Sequence, residues 1–461
     1  MLFNSYVFLL VFLPAAIIVY RAIDGYPSLR TWTLIVLSLV FYGYGSPWFL
    51  FVLIGSITLN WLAANAFAAT GNGAIITAAV VADLALLGVF KYANFLADNV
   101  ASVFRVPVGH LDVALPLGIS FFTFHHVMYL VDLRRGKTKT YSFDRYALYI
   151  CFFPQAIAGP LARWSEVMHQ FGREAFAPGW ERRCASGATF MVIGLVEKAL
   201  GDALGGVVDP VFALARGGTL PPGSAWVTLG FCFQVFLDFA GYSNIAIGLA
   251  LIFAIELPPN FNAPFRAPDI LDFWQRWHMT LSRFLRDYVF FPLVDLRLVR
   301  RRYKVAQFLA SIVMTMALCG LWHGAGWNFV LWGTLHGVAM VIAIAWQRYL
   351  PSPPAPIGRV VTVGFVLLTA ILFRAGSLDA AWSLYGGLGK PPEMFWIGGW
   401  RSAVPAVAAV AYAAFMPASQ VLCARLNERP RLGVAAALGL VGAAVLSQLG
   451  QDSHEFIYFQ F

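Results

Sequence analysis

Apolar runs of membrane length, or nearly so, succeed one another along the chain, and short loops between them hold most of the charge. They cover about Tyr6–Tyr20, Thr31–Tyr44, Trp48–Ala68, Ala74–Tyr92, Leu115–Leu130, Cys184–Ala203, Ala225–Phe253, Val305–Trp322, Asn328–Trp346, Val360–Phe373, Val404–Val421 and Gly433–Leu449. A helix of roughly 20 apolar residues crosses a bilayer and satisfies its own backbone hydrogen bonds there. The pattern predicts an all-α polytopic membrane protein. Residues 1–461 form one membrane domain of roughly eleven to thirteen transmembrane or re-entrant helices, with no long polar linker to divide it. The first run lacks the basic start and small-residue cleavage site of a signal peptide and reads as an uncleaved span.

The interruptions are as informative as the runs. Tyr146–Ala158 is too short to cross and ends in Phe153-Pro154-Gln155, with Gly159-Pro160 following, which predicts a broken or re-entrant segment. Ala93–Val106 reads as a separate amphipathic piece in the interface, and Arg374–Trp400 as an amphipathic stretch between two spans. Pro258–Pro292 interleaves aromatic and charged residues and suits an interfacial or re-entrant helix better than a straight span. Between Val305–Trp322 and the next run stands Trp322-His323-Gly324-Ala325-Gly326-Trp327-Asn328, a histidine at a glycine break. Ionisable groups at that depth are costly and usually serve a function or find a partner.

Composition agrees with the pattern: of 461 residues, 59% are hydrophobic and 12% charged, about half the charge of a soluble domain. A net charge of +9 would suggest nucleic acid or acidic partners in a soluble chain. Here the basic residues lie in short loops, which the positive-inside bias explains, and no nucleic-acid partner is implied. Arg134, Arg135, Lys137 and Lys139, the run Arg297–Lys304, and Arg425–Arg431 mark cytoplasmic loops. The N-terminus and the tail 451–461 are then extracytoplasmic. Cys151, Cys184, Cys232, Cys319 and Cys423 are scattered through apolar surroundings without a CxxC pair, so neither a disulfide framework nor a zinc site is expected.

Candidate chemistry centres on His323 and His278, the two histidines set among aromatic residues in the second half. A neutral imidazole can take a proton from a hydroxyl and return it. Each is alternatively a satisfied residue bonding helix to helix. His125, His126 and His336 read as structural. Asp238 and Tyr242 share one helical face and, with Ser243 and Asn244, line a polar passage or form a hydrogen-bonded cluster. A buried Asp238 must be neutral, paired or facing water. Arg276, Arg283 and Arg286 are positioned either to meet phosphates of a cytoplasmic ligand or to anchor the segment at the interface. No metal-binding, P-loop or nucleophile-elbow motif occurs. Two classes remain at this point: a membrane-embedded enzyme whose histidine activates a hydroxyl, or a multi-span transporter or channel with intramembrane polar residues on its path.

The residues then resemble a known family almost along the full length. The match runs through Met1-Leu2-Phe3-Asn4-Ser5, Leu115-Pro116-Leu117-Gly118-Ile119-Ser120-Phe121, Phe153-Pro154-Gln155, and Leu237-Asp238-Phe239-Ala240-Gly241-Tyr242-Ser243. It continues through Phe273-Trp274-Gln275-Arg276-Trp277-His278-Met279-Thr280-Leu281-Ser282 and Trp322-His323-Gly324. The chain resembles the membrane-bound O-acyltransferases, within them the bacterial alginate-acetylating branch. Two positions depart from the family pattern: Asn244, where Asp is common, and His125-His126, in place of a Gln-containing pair.

The resemblance implies that His323 is the catalytic histidine and His278 the second active-site histidine, orienting or polarising a thioester. It implies a central tunnel, with Asp238, Tyr242, Ser243, Trp274, Arg276, Trp322 and Asn328 lining it or positioning substrate. It implies no bound cofactor, acetyl-CoA as the cytoplasmic donor, and a bacterial inner (cytoplasmic) membrane location. The acceptor would be an exported polysaccharide such as alginate, reached through a periplasmic or membrane-tethered acetyltransferase partner. The ending Phe456-Ile457-Tyr458-Phe459-Gln460-Phe461 resembles an F-x-Y-x-x-F motif whose tyrosine serves as acyl relay. The alternative is an aromatic plug holding the last helix at the interface.

Overall fold

The structure is a computed structural model that describes residues 1, 3–45, 47–111, 114–157, 159–296, 303–391, 400–428, 439 and 457. Helices account for the apolar runs, and no strand occurs among the described residues. Six helices there are long and apolar enough to cross a membrane, and a seventh span is added if one bent pair is counted as a single crossing. The run Gly433–Leu449 and the tail containing Tyr458 lie outside the described residues, apart from Gly439 and Ile457. The chain divides into two units.

The first unit takes residues 1–195, 242–259 and 423–442. Its membrane hairpin joins Pro47–Thr70 to Gly73–Phe104. Gly71 supplies the left-handed φ of +68° that ends the first helix, and the Asn72 side chain caps the second by accepting from the Ala74 N–H at 3.0 Å. Between the helices the Asn60 amide donates to the Asp83 carboxyl at 2.9 Å, satisfying two polar groups that lipid would leave stranded. Helix Ile119–Arg134 is buried almost throughout. His126 there bonds the Tyr146 hydroxyl at 2.6 Å and Ser56 at 3.3 Å, and the His125 ring stands edge-on to Tyr149. The predicted break near Phe153 is present: helices Phe143–Cys151 and Phe153–Ala156 flank Phe152.

Two expectations are corrected. Gly73–Phe104 is one continuous helix of 32 residues, so Ala93–Val106 is no separate interfacial piece. No glycine or proline stands between Lys91 and Phe104 to stop propagation, and the helix ends at left-handed Arg105, ahead of Pro107. Conversely, Val404–Val421 is not a straight span. Helices Ala403–Phe415 and Ser419–Asn427 meet at 88°, with Pro417 at the joint.

The second unit takes residues 196–241, 260–422 and 443–461. Its frame is the helical hairpin Lys304–His323 and Trp327–Tyr349, followed by helix Ala355–Arg374. A Cβ on Gly320 would collide with the Phe329 backbone, one on Gly333 with that of Met316, and one on Gly337 with that of Val313. The hairpin is therefore closed by backbone-to-backbone packing that only glycine allows, the small-residue logic of helix association in lipid. Gly333→Val is expected to lower the unfolding temperature of the detergent-solubilised protein by several degrees, because overpacking costs about 1–3 kcal/mol. Gly364→Ala, where the space beside a new Cβ is open, should leave it unchanged or slightly higher. Equal unfolding temperatures in the two variants would contradict this packing.

Candidate active site

His323 is the last residue of helix Lys304–His323. The chain turns over three residues, with extended backbone at Gly324 and Gly326, and re-enters a helix at Trp327. Gly324 carries no Cβ because the Phe329 ring occupies that space. The Asn328 amide donates to the Leu372 carbonyl at 3.1 Å, pinning the turn to helix Ala355–Arg374. Asn328 thus braces the turn and does not line the cavity described next. The buried imidazole of His323 is enclosed by rings, with centroids of Trp322, Phe373 and Trp332 at 4.6, 5.1 and 5.4 Å.

A cavity of about 40 Å³ opens beside it, walled by His323, His336, Trp274, Trp277, Trp332 and Phe373 among others. That space holds a water or a few heavy atoms, within an apolar frame that strengthens any proton transfer inside it. His336, read from the sequence as structural, shares this wall. Its Nδ1 accepts from the Trp274 indole N–H at 3.3 Å, and its Nε2 then donates to the Thr369 hydroxyl at 3.0 Å. Thr369 in turn donates to the Phe365 carbonyl at 3.0 Å. The chain of donors fixes one neutral tautomer and uses both ring nitrogens, so His336 holds Trp274 in place. The signal for it was the spacing of Trp332 and His336, four apart on one helical face.

His278 separates the short helices Ile270–Arg276 and Met279–Leu285 and sits in the left-handed region, φ +41° and ψ +54°. A non-glycine residue there stores about 1–3 kcal/mol of strain, tolerated where the surroundings dictate the conformation. Asn260 does so. Its backbone carbonyl accepts from the Met279 N–H at 2.8 Å, and its side-chain Oδ1 accepts from His278 Nδ1 and from the Thr280 hydroxyl, both at 2.9 Å. His278 is therefore the Nδ1–H tautomer. Its buried Nε2 lone pair has no protein partner among the described residues. Burial lowers its pKa to about 3, so the ring stays neutral near pH 7. Asn260 was not legible beforehand, since it stands 18 residues upstream in an irregular stretch.

His278 does not line the small cavity, although Trp274 and Trp277 beside it in sequence do. Arg276 is bonded to the Asp272 carboxylate at 2.7 Å and to the Asn262 carbonyl at 3.4 Å, an internal brace of the segment. A second, larger cavity of about 660 Å³ has Trp274, Gln275, Ser282, Arg283 and Arg286 in its wall. Trp274 is common to both cavities.

Asp238 lies outside both linings and resolves as a paired carboxylate, 2.9 Å from Lys198 Nζ. Tyr242 and Ser243 belong to the first unit, where the Tyr242 ring stacks on Phe3 at 4.6 Å. Tyr458 is outside the described residues.

Comparison with known proteins meets this geometry. Residues 28–378 match the model of the membrane-bound O-acyltransferase family. The chain is 33% identical to a peptidoglycan O-acetyltransferase of Helicobacter pylori, over 84% of this chain and 80% of the relative. It is 34% identical to a probable alginate O-acetylase of Pseudomonas aeruginosa, over 87% and 76%. A teichoic acid D-alanyltransferase of Streptococcus thermophilus is more distant, 28% identical over 58% and 69%. With its long apolar helices and a match over most of its length, the chain belongs to the membrane-bound O-acyltransferase family and is a multi-pass membrane acyltransferase.

Proposed function

We propose that this protein takes acetyl groups from cytoplasmic acetyl-CoA and passes them across the inner membrane for O-acetylation of an exported polysaccharide such as alginate. The observation that carries the reading is the pair of cavities meeting at Trp274, one walled by His323 and the other by Arg283 and Arg286. The larger has room for a nucleotide-bearing thioester, and two guanidinium groups suit its phosphates. The smaller has room for little more than the reacting atoms. The likeness to a peptidoglycan O-acetyltransferase and a probable alginate O-acetylase favours a glycan acceptor.

In this mechanism His323 removes the proton of an attacking hydroxyl as its oxygen bonds to the thioester carbonyl carbon. The C–S bond then breaks, and the imidazolium returns the proton to the departing thiolate. With Nδ1–H bonded to Asn260, His278 offers an acceptor lone pair and no N–H at Nε2. Of the two expected roles, orienting or polarising a thioester, an acceptor nitrogen cannot polarise the carbonyl by donation, and His278 acts in this mechanism by accepting a hydrogen bond from a hydroxyl or water instead. Tyr458 supplies the hydroxyl. Its O-acetyl form then carries the group to an extracytoplasmic or membrane-tethered transferase, and the N-terminus and tail face that side.

Purified full-length protein incubated with radiolabelled acetyl-CoA is expected to retain label on Tyr458, and Tyr458→Phe to retain none. Undiminished labelling and transfer in Tyr458→Phe would rule out the relay and leave the tail as an anchor. Absence of label on protein, partner and glycan alike would sink acetyl transfer.

A further inference from the structure

Three charged groups are buried together away from both cavities. Lys198 Nζ is 2.9 Å from Asp238 and also bonds Asp202, and the three side chains are between 5 and 9% exposed. Gly201 lets the Lys198–Asp202 turn lie against the neighbouring helix, for a Cβ there would stand 3.0 Å from the Asp238 backbone nitrogen. One cation faces two carboxylates, a combination that burial makes costly unless further donors complete it. One such donor comes from the far end of the chain: the Ile457 backbone N–H donates to Asp238 Oδ2 at 2.9 Å, and the Ile457 side chain is buried. Asp202 Oδ2, also buried, has no hydrogen-bond partner among the described residues and leaves a second acceptor available.

We propose that Lys198, Asp202 and Asp238 form a docking site for the protein's own C-terminal segment, gripping its main chain at residue 457, the residue before Tyr458 in sequence. Its catalytic consequence rests on the relay reading above; the docking itself does not. Recognition through a backbone N–H leaves the adjacent side chains uncommitted, which suits a segment whose hydroxyl must exchange an acyl group. Lys198 orients the Asp238 carboxylate, so Asp238 is a positioning residue here and acts through the tail.

The test uses the full chain in lipid nanodiscs and compares Ile457→Pro, which removes the N–H along with the branched side chain, with Ile457→Val and Ile457→Ala, which trim the side chain but keep the N–H. Digestion of the C-terminus by carboxypeptidase, followed by mass spectrometry, reads the docking without reference to activity. Loss of one hydrogen bond to a charged acceptor predicts digestion roughly ten- to hundredfold faster in Ile457→Pro than in Ile457→Val or the parent. Equal rates in Pro and Val variants overturn the docking whatever happens to acetylation. Faster digestion with full acetyl transfer upholds the docking and overturns its catalytic consequence, leaving the relay to the Tyr458→Phe test.

Discussion

Replacing His323 with alanine is expected to abolish acetyl transfer while the protein still inserts and folds. A positioned general base contributes about 10²–10⁴-fold, and no other side chain in the small cavity has a nitrogen to spare for the role, since both His336 nitrogens are engaged. The ring removed already borders open space, so alanine enlarges an existing cavity and leaves the aromatic frame of Trp322, Trp332 and Phe373 standing. Stability loss should stay within the range of a large-to-small substitution beside an existing cavity. Transfer of radiolabelled acetyl groups, with thermal unfolding as the control for folding, checks this. Normal acetylation in His323→Ala would remove the histidine from the mechanism.

His278→Asn is expected to lower kcat by about 10²-fold with little change in unfolding temperature. Asparagine tolerates the left-handed backbone that alanine does not, and its amide can still donate to Asn260. The substitution therefore removes the Nε2 acceptor while preserving the local turn. Asn260→Ala should act differently. It withdraws the acceptor for His278 and Thr280 together, and is expected to lower both turnover and stability. A parental kcat in His278→Asn would reduce His278 to a structural turn residue.

The membrane class, the glycine break at His323 and the broken segment around His278 were all legible because each is written in consecutive residues. Hydropathy totals are blind to bends, which is why Val404–Val421 passed as one span although Pro417 was visible inside it. The opposite error at Ala93–Val106 came from treating a polar patch as a boundary where nothing stops the helix. Within the site, His336 and Asn260 were overlooked for different reasons. The first had a periodic signal that went unused; the second depends on where irregular backbone places a carbonyl, which no pattern encodes. Asp238 illustrates a third kind of limit. Its burial was inferable from its span, but its partner Lys198 lies 40 residues away on another helix, where only the folded chain identifies it.

The hairpin that carries His323 has a bearing on how the protein is made. His323, Trp332 and His336 fall within one stretch of two helices and a three-residue turn, so part of the small cavity's wall is built from sequence-local contacts. Closing so short a loop costs little chain entropy, and local contacts form early. His323 can thus be seated among its tryptophans as soon as this helix pair enters the bilayer, ahead of packing by the later helix that brings Phe373.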